Sequence, residues 1–135
     1  MTGVVDLDDL CRQMTPRLVD GVYVYCTFTD SRLPSGLEPI CTFREAEGLT
    51  AIIGKREAEE ASLPHVFPCR LITLTVHSSL DAVGFLARIS ARLSRAGIAC
   101  NVVAAFHHDH LFVPEARAED TLQILREIAS EPGSS

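Results

Sequence analysis

Hydrophobic and polar positions in the second half of the chain change period in a regular order. Arg70–His77 and Ile98–Phe106 are rich in apolar and β-branched residues, and each predicts a strand. Between them apolar residues recur at helical spacing, and Gly97 follows where a helix C-cap is expected. The stripe consists of Ala82, Phe85, Leu86, Ile89, Leu93 and Ala96. The pattern therefore predicts a strand, a helix and a second strand.

A turn, a strand and a helix complete this half of the chain. The turn is His107-His108-Asp109, the strand is His110–Val113 before Pro114, and the helix carries apolar Ala118, Leu122, Leu125 and Ile128. Strand, helix, strand, turn, strand and helix is the order found in a split βαβ, or ferredoxin-like, unit. The expected fold class is therefore α+β.

The first half shows a weaker version of the same order. The predicted elements are a short helix with Leu7, Leu10, Cys11 and Met14, a strand Val22–Phe28, a loop Thr29–Pro39, a hairpin of Ile40–Arg44 and Leu49–Ile53, and a helix Lys55–Ser62. The loop occupies the place where the second half has its first helix. A shift of sixty residues aligns Leu49–Ile53 with Asp109–Val113.

This internal repeat predicts tandem βαββαβ units, the first of them degenerate. We expect the first unit at residues 1–66, the second at 67–130 and a disordered tail at 131–135. The alternative is a fortuitous match between short elements.

Composition restricts the class of partner. The net charge of −6 over 135 residues argues against a nucleic-acid surface, which needs clustered Lys and Arg. Arg88, Arg92 and Arg95 share one predicted helix, but three arginines at that spacing usually form a solvated face. No apolar run approaches the ~20 residues that span a bilayer. We expect neither a nucleic-acid nor a membrane partner.

Cysteine usage and the first residues indicate a cytoplasmic location. The five cysteines are odd in number and contain no C-x-x-C pair, which does not favour a disulfide framework. Met1–Asp9 carries three aspartates and no basic stretch, so we expect no signal peptide.

One combination of features in the second half is distinctive: the strand Leu71–Val76, the loop Asp81-Ala82-Val83-Gly84, the following helix and Gly97-Ile98. In these features the second half resembles the ACT domain, a small regulatory module that binds amino acids in many metabolic enzymes. The segment Cys100–Pro114 is similar to that of stand-alone bacterial ACT-pair proteins and, more distantly, of cytosolic arginine sensors. Many ACT loops have Pro directly before the glycine, where this chain has Val83.

The loop between the first strand and helix is the first candidate binding site. Amides at a helix start lack intrahelical partners and favour a ligand carboxylate, while Asp81 or Asp109 is suited to pair with an ammonium group. Ser79 or Asp81 acting only as a helix cap is the structural alternative. With the resemblance added, the candidate ligand-binding residues are Ser78, Ser79, Asp81, Val83, Gly84, Phe85, Asn101, Val102, Phe106, His107 and Asp109.

The turn His107–His110 is the second candidate, because zinc binds nitrogen and oxygen ligands. Consecutive side chains in a tight turn diverge, however, and alternate residues of a strand face opposite sides. We therefore expect no metal there. Cys100 lies in a predicted buried strand, and His77 points away from the adjacent Ser78, so catalysis is the least favoured interpretation.

The sequence thus predicts a non-catalytic, allosteric sensor of an amino acid or related metabolite, without a cofactor. We expect a cytoplasmic homodimer, since exposed sheet edges are normally paired or covered. The alternatives are a ligand-free dimerisation or partner-docking module and a metal-binding protein that uses the histidine turn.

Overall fold

The computed structural model describes residues 6–132 and separates into two compact units. One unit is Asp20–Cys69, and the other joins the residues before Asp20 to those after Cys69. We call them the 20–69 unit and the discontinuous unit. The helices are α1 (Leu7–Gln13), α2 (Lys55–Glu60), α3 (Phe85–Arg95) and α4 (Ala118–Ser130). The strands are β1 (Pro16–Leu18), β2 (Tyr23–Phe28), β3 (Cys41–Glu45), β4 (Gly48–Gly54), β5 (Val66–Leu74), β6 (Asn101–Ala104) and β7 (Asp109–Pro114).

The 20–69 unit is a small sheet with one helix. Its strand order is β3-β4-β2-β5, and β2 and β3 both pair antiparallel with β4. Alternate residues of β2 and β4 are buried with Ala58 of α2 because successive side chains in a strand face opposite sides. Residues 29–40 form turns and irregular structure without a helix, which confirms the predicted loss of the first helix.

Gly48 closes the hairpin of this unit in a conformation that favours glycine. Its φ is +149°, and a Cβ atom there would lie 2.6 Å from the carbonyl oxygen of Phe28. Any side chain at position 48 would therefore displace the backbone of β2.

The discontinuous unit has the strand order β1-β5-β7-β6, with α1, α3 and α4 completing its core. A βαββαβ unit needs a fourth strand after its second helix. Here β1 takes that place although it precedes β5 in the chain, with Pro16 opposite Leu74 in an antiparallel pair. The sequence pattern did not predict this three-residue strand.

The core of the discontinuous unit follows the predicted helical stripe. Phe85, Ile89 and Leu93 of α3 are buried at i, i+4 and i+8, which is one face of a helix. They pack with buried residues from α1, β5, β7 and α4 and from the loops between elements. The remaining members are Leu10, Cys11, Met14, Ile72, Leu74, Val76, Ile98, Leu111, Val113, Leu122, Leu125 and Ile128.

Two predicted boundaries differ from the structure near the candidate loop. The strand expected to reach His77 ends at Leu74, and the helix expected from Ala82 begins at Phe85. Gly84 causes the later start because its φ of +93° is not a helical conformation. The strand expected over Ile98–Phe106 is shorter, Asn101–Ala104.

The N-terminal segment packs with residues from the second half of the chain. Leu10, Cys11 and Met14 are buried in the discontinuous unit, so the compact units do not coincide with the two halves of the sequence. The division at residues 66 and 67 remains a prediction about sequence units. Glu131 and Pro132 are exposed, and the rest of the expected tail, like residues 1–5, lies outside the described residues. Within residues 6–132, no helix has the length and apolar character needed to cross a bilayer.

Candidate functional site

The loop between β5 and α3 and the start of β7 together form a cavity of about 140 Å³ in the discontinuous unit. We call it the loop cavity. Five of the predicted ligand-binding residues line it: Ser78, Ser79, Gly84, Phe85 and Asp109. Leu80, Ala82, Leu86, Ala87 and Ala104 complete its wall. The serine loop and the first residue of β7 are thus adjacent in space, as the sequence predicts.

The first turn of α3 borders the loop cavity. Phe85, Leu86 and Ala87 are the first three residues of α3, and all three line the cavity. Their N–H groups precede the first intrahelical bond, which runs from the Arg88 amide to the Gly84 carbonyl at 2.9 Å. Within the described residues no side chain caps this helix start. The site therefore combines unpaired N–H groups with the positive end of an 11-residue helix.

The structure contradicts the capping interpretation of the loop. The Ser79 hydroxyl oxygen accepts a hydrogen bond from the Asp81 amide at 3.1 Å, inside the loop and before α3. Asp81 is exposed and does not line the loop cavity. The N-cap position belongs to Gly84, so neither Ser79 nor Asp81 caps the helix.

Asp109 is the acidic group of the loop cavity. Its side chain is buried, and the Ser78 hydroxyl donates to its Oδ2 atom at 3.3 Å. Burial raises the pKa of Asp109 above its ordinary value, while the Ser78 hydrogen bond and any positive charge on His110 and His108 oppose that increase. A buried carboxylate with a single long hydrogen bond retains capacity to accept from a cation.

Six predicted site residues lie elsewhere. Val83 and Phe106 have 85% and 72% of their surface exposed, and His107 is exposed with its ring centroid 5.0 Å from that of Phe106. Asn101 and Val102 are exposed on β6. With Asp81, none of these side chains contributes to the wall of the loop cavity.

The histidine turn does not gather metal ligands. The His108 ring nitrogen Nδ1 lies 3.4 Å from the Val76 carbonyl oxygen, whereas the His110 Nδ1 lies 3.0 Å from the Thr73 hydroxyl. Burial and the neighbouring His108 lower the pKa of His110. Among residues 6–132, no three His, Cys, Asp or Glu side chains are arranged to hold a metal ion. The divergence of adjacent side chains accounts for this result.

Sequence reasoning missed the contribution of the α3 backbone beyond Phe85. Leu86 and Ala87 are apolar in the sequence, and their role at the loop cavity depends on amides that every residue except proline carries. Gly84 is the residue that would have indicated their position. Its positive φ places the start of α3 three residues later than the sequence predicts.

Comparison with known families finds ACT-domain matches along the chain. One ACT-domain profile matches residues 2–70, and a second matches residues 66–127. No curated protein sequence matches significantly.

Several solved structures are similar. A Vibrio cholerae protein of unknown function, described as a possible transport protein, is 43% identical with a TM-score of 0.82, over 92% of this chain and 96% of that one. An Agrobacterium tumefaciens protein is 20% identical with a TM-score of 0.73, over 86% and 89%. The regulatory subunit of aspartate kinase from Thermus flavus is 9% identical with a TM-score of 0.60, over 85% and 95%. The last two similarities show the fold alone.

Proposed function

The chain belongs to the ACT-domain family of regulatory, small-molecule-binding modules, and on that basis we propose that it binds a small amino acid in the loop cavity. Binding is its whole activity in this proposal, with no catalytic step and no cofactor. The observation that carries the proposal is that one cavity is lined both by the first residues of α3, whose amides lack intrahelical acceptors, and by the acidic Asp109.

The ligand carboxylate would bind at the start of α3. The amides of Phe85, Leu86 and Ala87 have no intrahelical acceptor, and the helix dipole favours a negative group there. Gly84 presents no side chain to the cavity, so a carboxylate can approach the helix backbone closely.

The ligand ammonium group would pair with Asp109. Burial raises the pKa of this carboxyl, and a cation at hydrogen-bonding distance favours its charged form. Ligand binding should therefore lower the pKa of Asp109. The Ser78 hydroxyl, which already donates to Asp109, would hold the carboxylate in place.

The size of the cavity restricts the ligand. The volume of the loop cavity is about 140 Å³, far below the roughly 300–1,000 Å³ of pockets that hold drug-sized ligands, which favours a small ligand.

We further propose that the protein acts in the cytoplasm as a homodimer. Binding would favour one arrangement of the protein over another, because a ligand shifts an equilibrium only by its differential affinity. We also propose two sequence units, 1–66 and 67–130, and the ACT-domain matches to residues 2–70 and 66–127 support this division.

The test is a thermal-shift screen of the full chain against the twenty amino acids at millimolar concentration. We expect small amino acids to raise the melting temperature of the wild type but not of Asp109→Asn. Asp30→Asn is the matched control, because Asp30 is exposed in the 20–69 unit and asparagine can still accept from the Arg32 amide. Equal stabilisation of both variants would contradict the assigned role of Asp109.

A partner-docking module is the second candidate, and it has its own supporting observation. Leu80, Val83, Val102 and Phe106 are exposed apolar residues on the loop, on β6 and in the turn before β7. Such residues are typical of interaction surfaces when they form a continuous patch. No stabilisation by any amino acid would favour this docking role over ligand binding.

A further inference from the structure

Five of the residues that line the loop cavity have aliphatic side chains. Leu80 and Ala82 belong to the loop before α3, Leu86 and Ala87 belong to its first turn, and Ala104 is the last residue of β6. Leu80 keeps 66% of its surface exposed, so part of this aliphatic wall is still in contact with water. Covering apolar surface with an apolar group of a ligand is favourable, whereas covering it with a charged group is not.

The register of β6 and β7 places Ala104 beside Asp109. The two residues are directly opposite each other in the antiparallel pair, and both line the loop cavity. Directly opposed residues project to the same face of a sheet, with Cβ atoms about 4.5–5.5 Å apart. Ala104 is exposed, so its methyl group is not part of the core. A ligand whose ammonium group pairs with Asp109 therefore has its α-carbon close to Ala104.

Asp109 is the one charged residue among the described residues that line the loop cavity. In the proposed function it pairs with the ligand ammonium group, so no carboxylate remains for a basic side chain. An acidic side chain would meet no cation in the wall and would be repelled by Asp109. Both serine hydroxyls already form hydrogen bonds, Ser78 as donor to Asp109 and Ser79 as acceptor from the Asp81 amide. A charged ligand side chain that loses water here would be left unpaired, which is costly.

We propose that the amino acid bound in the loop cavity has a small, uncharged, aliphatic side chain, and that Ala104 limits the size of that side chain. This inference rests on the proposed function, because it takes the ligand carboxylate to lie at the start of α3 and the ammonium group at Asp109. The side chain then packs on the aliphatic wall. Full burial of one CH₂ group corresponds to about a fourfold gain in affinity, so alanine and valine bind more tightly than glycine.

The experiment is an isothermal titration of the full chain with glycine, alanine, valine, aspartate and lysine. We expect alanine and valine to bind more tightly than glycine. Aspartate and lysine should bind more weakly than alanine by about tenfold or more, because their side-chain charge has no partner in the wall. Each titration is repeated with Asp109→Asn, and loss of binding in that variant assigns the ligand to the loop cavity.

The variant Ala104→Val tests the size limit. Valine suits a strand position and Ala104 is exposed, so we expect this variant to fold. The two added methyl groups take up space in the cavity, and they should weaken valine binding by about tenfold while leaving glycine binding unchanged. Ala105→Val adds the same groups at the next residue, which does not line the loop cavity, and serves as the matched control.

The outcomes separate this inference from the proposed function. Tightest binding by aspartate or lysine, lost in Asp109→Asn, would overturn the assigned side-chain class and leave amino-acid binding in the loop cavity intact. Equal weakening of valine binding by Ala104→Val and Ala105→Val would overturn the role of Ala104. Binding of none of the five amino acids would overturn the inference and the proposed function together.

Discussion

Replacing Gly84 by alanine should damage both stability and ligand binding, and the two effects are separable. Gly84 has a φ of +93° at the N-cap of α3. An alanine in a left-handed conformation costs about 1–2 kcal/mol. The stabilisation of about 0.4–1 kcal/mol that a Gly→Ala replacement gives by reducing the entropy of the unfolded chain applies only where the native conformation suits alanine, which it does not here. We therefore expect Gly84→Ala to lower the free energy of unfolding by about 1–2 kcal/mol.

Steric crowding adds little to this cost. A Cβ atom at position 84 would lie 3.4 Å from the Leu7 Cδ2 atom, which is near ordinary van der Waals contact. Gly97, just beyond the other end of α3, is the matched control: its φ is +72°, and a Cβ atom there would meet nothing within 4 Å. Both variants should therefore lose similar stability in urea unfolding.

Ligand binding should distinguish the two variants. Relief of strain at position 84 should change the orientation of the first amides of α3, which border the loop cavity, whereas position 97 lies beyond the other end of the helix. In an isothermal titration with the amino acid found in the screen, we expect Gly84→Ala to weaken binding by about tenfold, and Gly97→Ala to bind like the wild type. Equal loss of affinity in both variants, or unchanged stability of Gly84→Ala, would refute the reasoning.

Two further predictions concern buried titratable groups. The pKa of Asp109 is raised in the folded protein, so near and above about pH 4 the folded protein binds more protons than the unfolded chain. The free energy of unfolding that this residue contributes therefore falls as the pH rises from about 4 through the folded-state pKa. The stability of Asp109→Asn relative to wild type in urea unfolding should therefore increase with pH; a constant difference would count against this cause. Burial raises the pKa of Cys69 to about 11, and its sulfur donates to the Tyr23 carbonyl at 3.3 Å, so we expect iodoacetamide at pH 8 to label Cys69 only after unfolding. Mass spectrometry of the labelled peptides decides this, and labelling of Cys69 in the native protein would contradict it.

Most of the fold was predictable because each long element has a clear period. The stripe Phe85, Ile89 and Leu93 fixes the buried face of α3, and the hairpin of β3 and β4 lies within a few residues of its predicted bounds. The strand β1 was not predictable, because three residues provide too short a window for a period of two. Its assignment depends on pairing with β5, more than fifty residues later in the chain.

The candidate site was predictable only in part. The polar residues Ser78, Ser79 and Asp109 carry a signal in their chemistry, and they do line the loop cavity. Asp81 was chosen from the same signal, but the later start of α3 leaves it in the loop. Arg95 was assigned to a solvated face, and it is exposed in the structure.

The placement of α1 in the discontinuous unit has a consequence for synthesis on the ribosome. Leu10 and Ile128 belong to one core but are separated by most of the chain. At translation rates of about 5–20 residues per second, the nascent N-terminal helix must wait on the order of ten seconds for its last packing partners to emerge. Over that interval the Asp20–Cys69 segment, whose core residues are local in the sequence, is already complete and able to fold first. A recombinant fragment that begins at residue 67 would lack both α1 and β1, so excision of the C-terminal half as a separate cassette would expose the apolar surfaces that they cover.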